Sequence, residues 1–146
     1  TWEGGVRVPT IAWWPGKIAP KSTSGVVPGT IDLMPTILAL ADVSWGGPMQ
    51  GRDLSSQEAG RDVVSYMESL YGKIEYRWSD LRAIRSGDWK LIRGHHNELY
   101  DLSRDPGERK NVAGQNPAVV KALTAEADKW NATLPKDYIK TGDREN

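Results

Sequence analysis

A chain of 146 residues is long enough to bury a sizeable core, and its length suits one domain. Lys plus Arg number 19 and Asp plus Glu number 19, a balance that excludes the basic footprint of a nucleic-acid binder. No apolar run approaches a membrane span, no secretory-signal pattern is present, and the absence of cysteine excludes disulfides and thiolate zinc sites.

The aromatic set is seven Trp and five Tyr with no Phe, so every ring carries a polar handle. Such rings suit surfaces that are part apolar and part wet, and their flat faces suit sugar rings. Core packing remains the commoner use.

In chain order, Val8 to Trp14 is a nearly continuous apolar run closed by Pro15-Gly16. It reads as a strand buried on both faces, with Trp13 and Trp14 on opposite sides. Gly16 to Gly29 is a Gly/Pro/Ser/Lys loop. Thr30 to Ala41 reads as a helix capped by Thr30 or Asp32, with Pro35 in its first turn. Its stripes Leu33/Ile37/Leu40 and Met34/Leu38/Ala41 predict burial against a sheet. Val43 to Gly60, with Gly46-Gly47-Pro48 and Gly51, reads as a crossing linker.

Strand signals follow. Val63 to Met67 is one candidate. Leu81 to Arg85 and Trp89 to Arg93 flank a Ser86-Gly87-Asp88 turn, and Glu98 to Leu102 follows the Gly94-His95-His96-Asn97 turn. Consecutive strands with tight turns predict an antiparallel sheet. Asp105-Pro106-Gly107 ends it. Asn116 and Pro117 then start an amphipathic helix with Val119, Val120, Leu123, Ala127 and Trp130 on one face, to cover one side of that sheet. The tail from Pro135 is polar.

Candidate chemistry is sparse. Adjacent His95 and His96 cannot share one strand face as paired ligands; solvated turn histidines or substrate contacts are the two readings. Glu98, Asp101, Asp105 and Glu108 lack the ligand ladder and turn glycine of a calcium loop, so turn formation and charge pairing is the expectation. No Gly-x-Ser-x-Gly elbow or phosphate-cradling loop is present. Glu3-Gly4-Gly5-Val6-Arg7 remains. Its glycines permit close backbone approach and its arginine can read an oxyanion bidentately. The plain alternative is a tight turn with Glu3 and Arg7 paired to each other or to backbone.

An ordered set of motifs now resembles the C-terminal part of the sulfatases, formylglycine-dependent (arylsulfatase-like) members of the alkaline-phosphatase-like superfamily. The set runs Trp2-Glu3-Gly4-Gly5-Val6-Arg7-Val8-Pro9, Trp14-Pro15-Gly16, Ile31 to Leu38, Gly51-Arg52-Asp53-Leu54, Ala83-Ile84-Arg85, Trp89-Lys90-Leu91-Ile92, Glu98 to Leu102, and Asp105-Pro106 with Glu108. Each motif alone is weak; their order over nearly the whole chain is specific.

The resemblance implies an α/β fragment plus an α+β subdomain. Residues 1–45 would be the last strand and helix of the alkaline-phosphatase-like catalytic sheet, and 46–60 a linker. Residues 61–146 would be a small four-stranded antiparallel sheet packed on a long helix at about 116–133. It also implies a sulfuric ester hydrolase whose formylglycine, made from Cys or Ser in a Cys/Ser-x-Pro-x-Arg motif, attacks sulfur beside a divalent cation, usually calcium. This chain carries neither that motif nor the family's metal-binding acids, and the sulfate-contacting lysine would stand just before Thr1. The expectation is a chain inactive alone, with no metal ligands and no catalytic residue of its own. Thr1, Trp2, Glu3 and Arg7 would support the pocket rim, and His95 and His96 would reach over the cleft. The expected partners are the N-terminal part of the sulfatase and a sulfated small molecule or glycan, in a periplasmic or extracellular setting by resemblance to bacterial sulfatases. The competing readings are a phosphonate monoester or phosphodiester hydrolase of the same superfamily, a stand-alone carbohydrate-binding module, and a remnant without function of its own. Burial of Trp13, Trp14 and Trp130 would count against the carbohydrate module.

Overall fold

The computed structural model describes residues 1–56 and 64–135. Among the described residues four α-helices and four strands form, in the order α1 (Glu3–Val6), α2 (Leu33–Leu40), β1 (Ser65–Ser69), α3 (Tyr71–Tyr76), β2 (Leu81–Ser86), β3 (Trp89–Arg93), β4 (Asn97–Asp101) and α4 (Pro117–Asn131). Short 3-10 turns precede α2 and α4. The chain divides into two compact units, Thr1–Val8 with Val63–Asn146, and Pro9–Asp62.

In the first unit the strands make one antiparallel sheet in the order β1-β2-β3-β4. The β2–β3 hairpin closes through Gly87-Asp88, where Gly87 supplies a φ of 56° at no steric cost. Register sorts the side chains into two faces. Ile84, Leu91 and Leu99 share one face, and Leu123 and Ala127 of α4 bury against them. Each Leu or Ile side chain so buried contributes roughly 1.5–3 kcal/mol. Pro117 sits at the start of α4, where its missing N–H costs nothing. Arg82 and Arg93 latch the helix through Asn131 (3.1 Å) and Asp128 (2.6 Å). Ala83, Ile92 and Tyr100 belong to the opposite face and cluster with Leu102. The sheet and covering helix therefore form as the turn signals and helical period predict. Strand β1 starts at Ser65; the Val63 end of the expected strand, residues 57–60 of the expected linker and the tail beyond Pro135 lie outside the described residues.

The second unit departs from expectation. Residues 8–14 form no strand, and Ile11 and Trp13 are 89% and 86% exposed. The apolar run alone cannot make a strand: it needs a hydrogen-bonding neighbour, and every strand among the described residues belongs to the 65–101 sheet. The helix does form, but its apolar side is not buried. Leu33, Met34, Ile37 and Leu40 are exposed, and Pro35 is the buried residue of α2. Within this unit no described residue forms a strand for that stripe to cover.

What holds this unit is polar. Asp32 Oδ2 accepts the Gly29 N–H at 2.9 Å, and its carboxylate also takes the Arg52 N–H at 2.7 Å and the guanidinium at 3.2 Å. Thr36 Oγ1 accepts the Leu54 N–H at 2.9 Å. Gly51 is required here, since a Cβ would lie 1.9 Å from the Ile31 carbonyl oxygen.

Candidate functional site

The Glu3-Gly4-Gly5 segment folds as the single turn α1, with Arg7 N–H donating to the Glu3 carbonyl at 2.8 Å. Glu3 is buried, and the reason lies 87 residues away. Lys90, with no exposed side-chain surface, places Nζ 2.8 Å from Glu3 Oε1 and 2.9 Å from Glu108 Oε1. Arg85, the cross-strand neighbour of Lys90, puts Nη1 4.0 Å from Glu3 Oε2. The Glu3 backbone N–H donates to Glu108 Oε2. The two buried carboxylates are thus neutralised by the buried Lys90, with the partly exposed Arg85 beside Glu3, as buried ions must be. Glu108 reaches the cluster from a left-handed backbone (φ 53°), which costs a non-glycine residue roughly 1–2 kcal/mol and is offset by this pairing.

A second polar link runs beside the first. Trp2 Nε1 donates to Glu98 Oε2 at 3.1 Å, and the Tyr100 hydroxyl donates to the same oxygen at 2.7 Å. Burial pushes the Tyr100 hydroxyl up, and the hydrogen bond to Glu98 with its negative charge takes it to about 12. Register puts Arg85, Lys90, Glu98 and Tyr100 on the sheet face away from α4, so residues 1–3 dock on that face.

The Glu3 side chain therefore pairs with the sheet, and its only described bond to Arg7 runs through the backbone. Arg7 is exposed and forms no salt bridge among the described residues. Gly4 and Gly5 are exposed as well. A Cβ on either would meet nothing within 4 Å, so the described residues themselves do not demand glycine at these positions. His95 and His96 are exposed in the β3–β4 turn, their rings edge to face with centroids 4.5 Å apart. Neither touches Trp2 or Glu3 among the hydrogen bonds and ion pairs described. Thr1 is half-buried and Trp2 partly exposed.

The residues that sequence reasoning left without a role are Lys90, Arg85 and Tyr100. A signal for Lys90 existed. It interrupts an apolar strand at a position sharing a face with Ile92, and a lysine there must find a partner. Which partner was not legible locally. The four acids of the 98–108 stretch are spent on pairing and turns. Glu98 and Glu108 are engaged as above, Asp101 Oδ1 accepts from Ser103, and Asp105 Oδ2 accepts the N–H groups of Arg109 and Lys110. The described residues contain no group of three or more His, Asp or Glu placed to hold a metal ion, and no helix long and apolar enough to cross a membrane.

Residues 1–132 match the family described as N-sulphoglucosamine sulphohydrolase, C-terminal. The chain belongs to this sulfatase C-terminal family. It is 33% identical to an uncharacterised sulfatase of Schizosaccharomyces pombe over 94% of the chain and 28% of that protein. It is 35% identical to arylsulfatase A of Homo sapiens over 84% of the chain and 30% of that protein. With the N-acetylgalactosamine-6-O-sulfatase of Bacteroides thetaiotaomicron it shares 28% identity over 84% of the chain and 27% of that protein. The chain thus spans less than a third of the length of these relatives. Among solved structures, one in complex with its substrate D-glucosamine-2-N,6-O-disulfate matches with a TM-score of 0.54 at 25% identity, over 78% of this chain and 25% of that one. Another, in complex with k-i-k-neocarrahexaose, matches with a TM-score of 0.56 at 23% identity over 68% of this chain and 23% of that one, a likeness of fold.

Proposed function

We propose that this chain is the C-terminal part of a sulfuric ester hydrolase, and that by itself it binds the rest of the enzyme but turns over nothing. The family match over residues 1–132 carries the reading. The Lys90 cluster supports it physically. By burying Glu3 between Lys90 and Arg85, the sheet fixes the turn from which a lysine preceding Thr1 would project. Gly4 and Gly5 leave the turn's outer side bare, so a further body can approach its backbone. Arg7 is exposed and makes no salt bridge among the described residues, so its guanidinium fork is able to orient an oxyanion. Thr1, Trp2, Glu3 and Arg7 act as positioning groups at the pocket rim, and His95 and His96 form a wet turn able to reach a leaving group.

Nucleophile chemistry in the parent is assigned by resemblance to a formylglycine and charge stabilisation to a divalent cation, calcium. No cluster among the described residues fits that cation, which would be held by the rest of the polypeptide. The missing strand partners of residues 8–14 and the bare stripe of α2 suit an alkaline-phosphatase-like sheet contributed by the rest of the polypeptide. The substrate class is a sulfate ester, on a sulfated glycan or an aryl alcohol, met in a periplasmic or extracellular setting.

The coding sequence upstream of Thr1 tests the class. A Cys/Ser-x-Pro-x-Arg motif there is expected, and a complete gene without one refutes the sulfatase activity in favour of the phosphonate or phosphodiester alternative. The 146-residue chain assayed on 4-methylumbelliferyl sulfate should give no turnover; measurable hydrolysis refutes the proposed division of labour.

A further inference from the structure

Helix α3 ends in an ordered group of rings that nothing above uses. Tyr71, Tyr76 and Trp78 are 66%, 56% and 68% exposed. Tyr71 meets Tyr76 edge-on, with centroids 5.9 Å apart at 76°, and Tyr76 meets Trp78 at 5.1 Å and 30°. Large rings exposed singly need no explanation, but three within eight residues, linked in series through Tyr76, make a patch. The backbone holds them. Arg77 N–H donates to the Lys73 carbonyl at 3.1 Å, the bond that closes a helix through a left-handed residue, and Trp78 N–H reaches back to the Gly72 carbonyl at 3.0 Å. That residue is Arg77 (φ 55°), where glycine would be unstrained. The turn lays Trp78 over Gly72, whose Cβ, if present, would sit 3.3 Å from Trp78 Cε3. Strain is thus accepted to order rings that gain little burial within this unit.

Charge completes the patch. Lys73 and Arg77 flank the rings, and neither makes a salt bridge among the described residues. Of the acids nearby, Glu68 and Asp80 are drawn to Arg82 at 3.0 Å and 3.3 Å; Glu75, on the same helix, makes no salt bridge among the described residues and leaves the two cations in excess by one charge. We propose that Tyr71, Tyr76 and Trp78, with Lys73 and Arg77, form a contact site for one unit of a sulfated saccharide. The rigid ring faces take the C–H side of the sugar at low entropic cost, and the two cations take its sulfate, Arg77 as a planar fork. The identity of the charged group rests on the sulfatase reading; the stacking surface does not.

The test is an NMR titration of the chain with a chondroitin 6-sulfate hexasaccharide and with its unsulfated counterpart, following the indole N–H resonance of Trp78. The sulfated probe should bind about tenfold more tightly, a preference of about 1.4 kcal/mol. Trp78→Ala and Tyr76→Ala, both at exposed positions, should each weaken binding about tenfold, and Lys73→Gln with Arg77→Gln should abolish the preference while leaving the unsulfated probe's affinity unchanged. Trp78→Ala binding within about twofold of the parent overturns the site. Equal affinity for the two probes overturns the sulfate assignment. Protection of Trp78 from oxidative labelling in the longer sulfatase polypeptide would mean the rings are covered there, which also overturns the proposal. None of these outcomes bears on the upstream motif that decides the sulfatase activity.

Discussion

Replacing Lys90 by Met removes one charge and leaves two carboxylates buried without it. The Glu3 side chain is 9% exposed, that of Glu108 3% and that of Lys90 0%. Arg85 stands 4.0 Å from Glu3 Oε2 and forms no described ion pair with Glu108. Breaking a buried ion pair from one side costs about 3–5 kcal/mol, because the surviving charge is neither solvated nor paired. Two survivors put Lys90→Met in the upper part of that range. A change of 1 kcal/mol moves the midpoint of a domain of this size by about 4 °C, so a fall of about 15 °C or more is expected. Urea unfolding followed by tryptophan fluorescence gives the free energy, with an unchanged m-value showing that the unfolded state is unaffected. The informative comparison is the triple variant Lys90→Met, Glu3→Gln, Glu108→Gln. It removes the stranded charges and should recover at least half of the loss, since apolar or neutral replacements of whole buried ion clusters are often close to neutral. A Lys90→Met chain within about 1 kcal/mol of the parent would refute the reasoning, as would a triple variant no better than the single one.

Two further outcomes follow from the second unit. Gly51→Ala should destabilise residues 29–54 by more than a typical point change of about 1 kcal/mol, because the added Cβ would lie 1.9 Å from backbone that Asp32 and Arg52 hold in place; amide exchange at Arg52 no faster than in the parent would contradict it. Burial alone would push the Asp32 carboxyl up, but the hydrogen bonds from the Gly29 and Arg52 N–H groups and the Arg52 guanidinium outweigh it and hold the group below the usual aspartate range. A depressed folded value means that this stabilisation is present above the unfolded value of about 3.9 and is lost as pH falls through the folded one. Arg52 amide protection should therefore fall with acid below about pH 4, less steeply in Asp32→Asn; identical acid profiles for the two chains would rule the linkage out.

How much was legible depended on how far the information lay along the chain. The hairpin at Gly87-Asp88, the strands beside it and the amphipathic face of α4 follow from turn chemistry and periodicity over neighbouring residues, and they form as read. The Val8–Trp14 strand and the burial of α2 are not seen among the described residues, for the converse reason. Their apolar patterns state what must be covered and say nothing of what covers it, and the described residues supply no cover. At the candidate site, sequence singled out Glu3 by its motif and the 98–108 acids by composition, yet missed that one lysine joins the two.

The sequence by itself determined the family, through motifs in a fixed order, and the local architecture of the small sheet, through contacts between near neighbours. Only the tertiary structure decided what Glu3 does. Its partners Lys90 and Glu108 stand 87 and 105 residues away, and no local preference encodes their meeting. It arises because β3 turns Lys90 away from α4, onto the face where residues 1–3 dock. A charge buried there is tolerable only when opposite charges arrive with it.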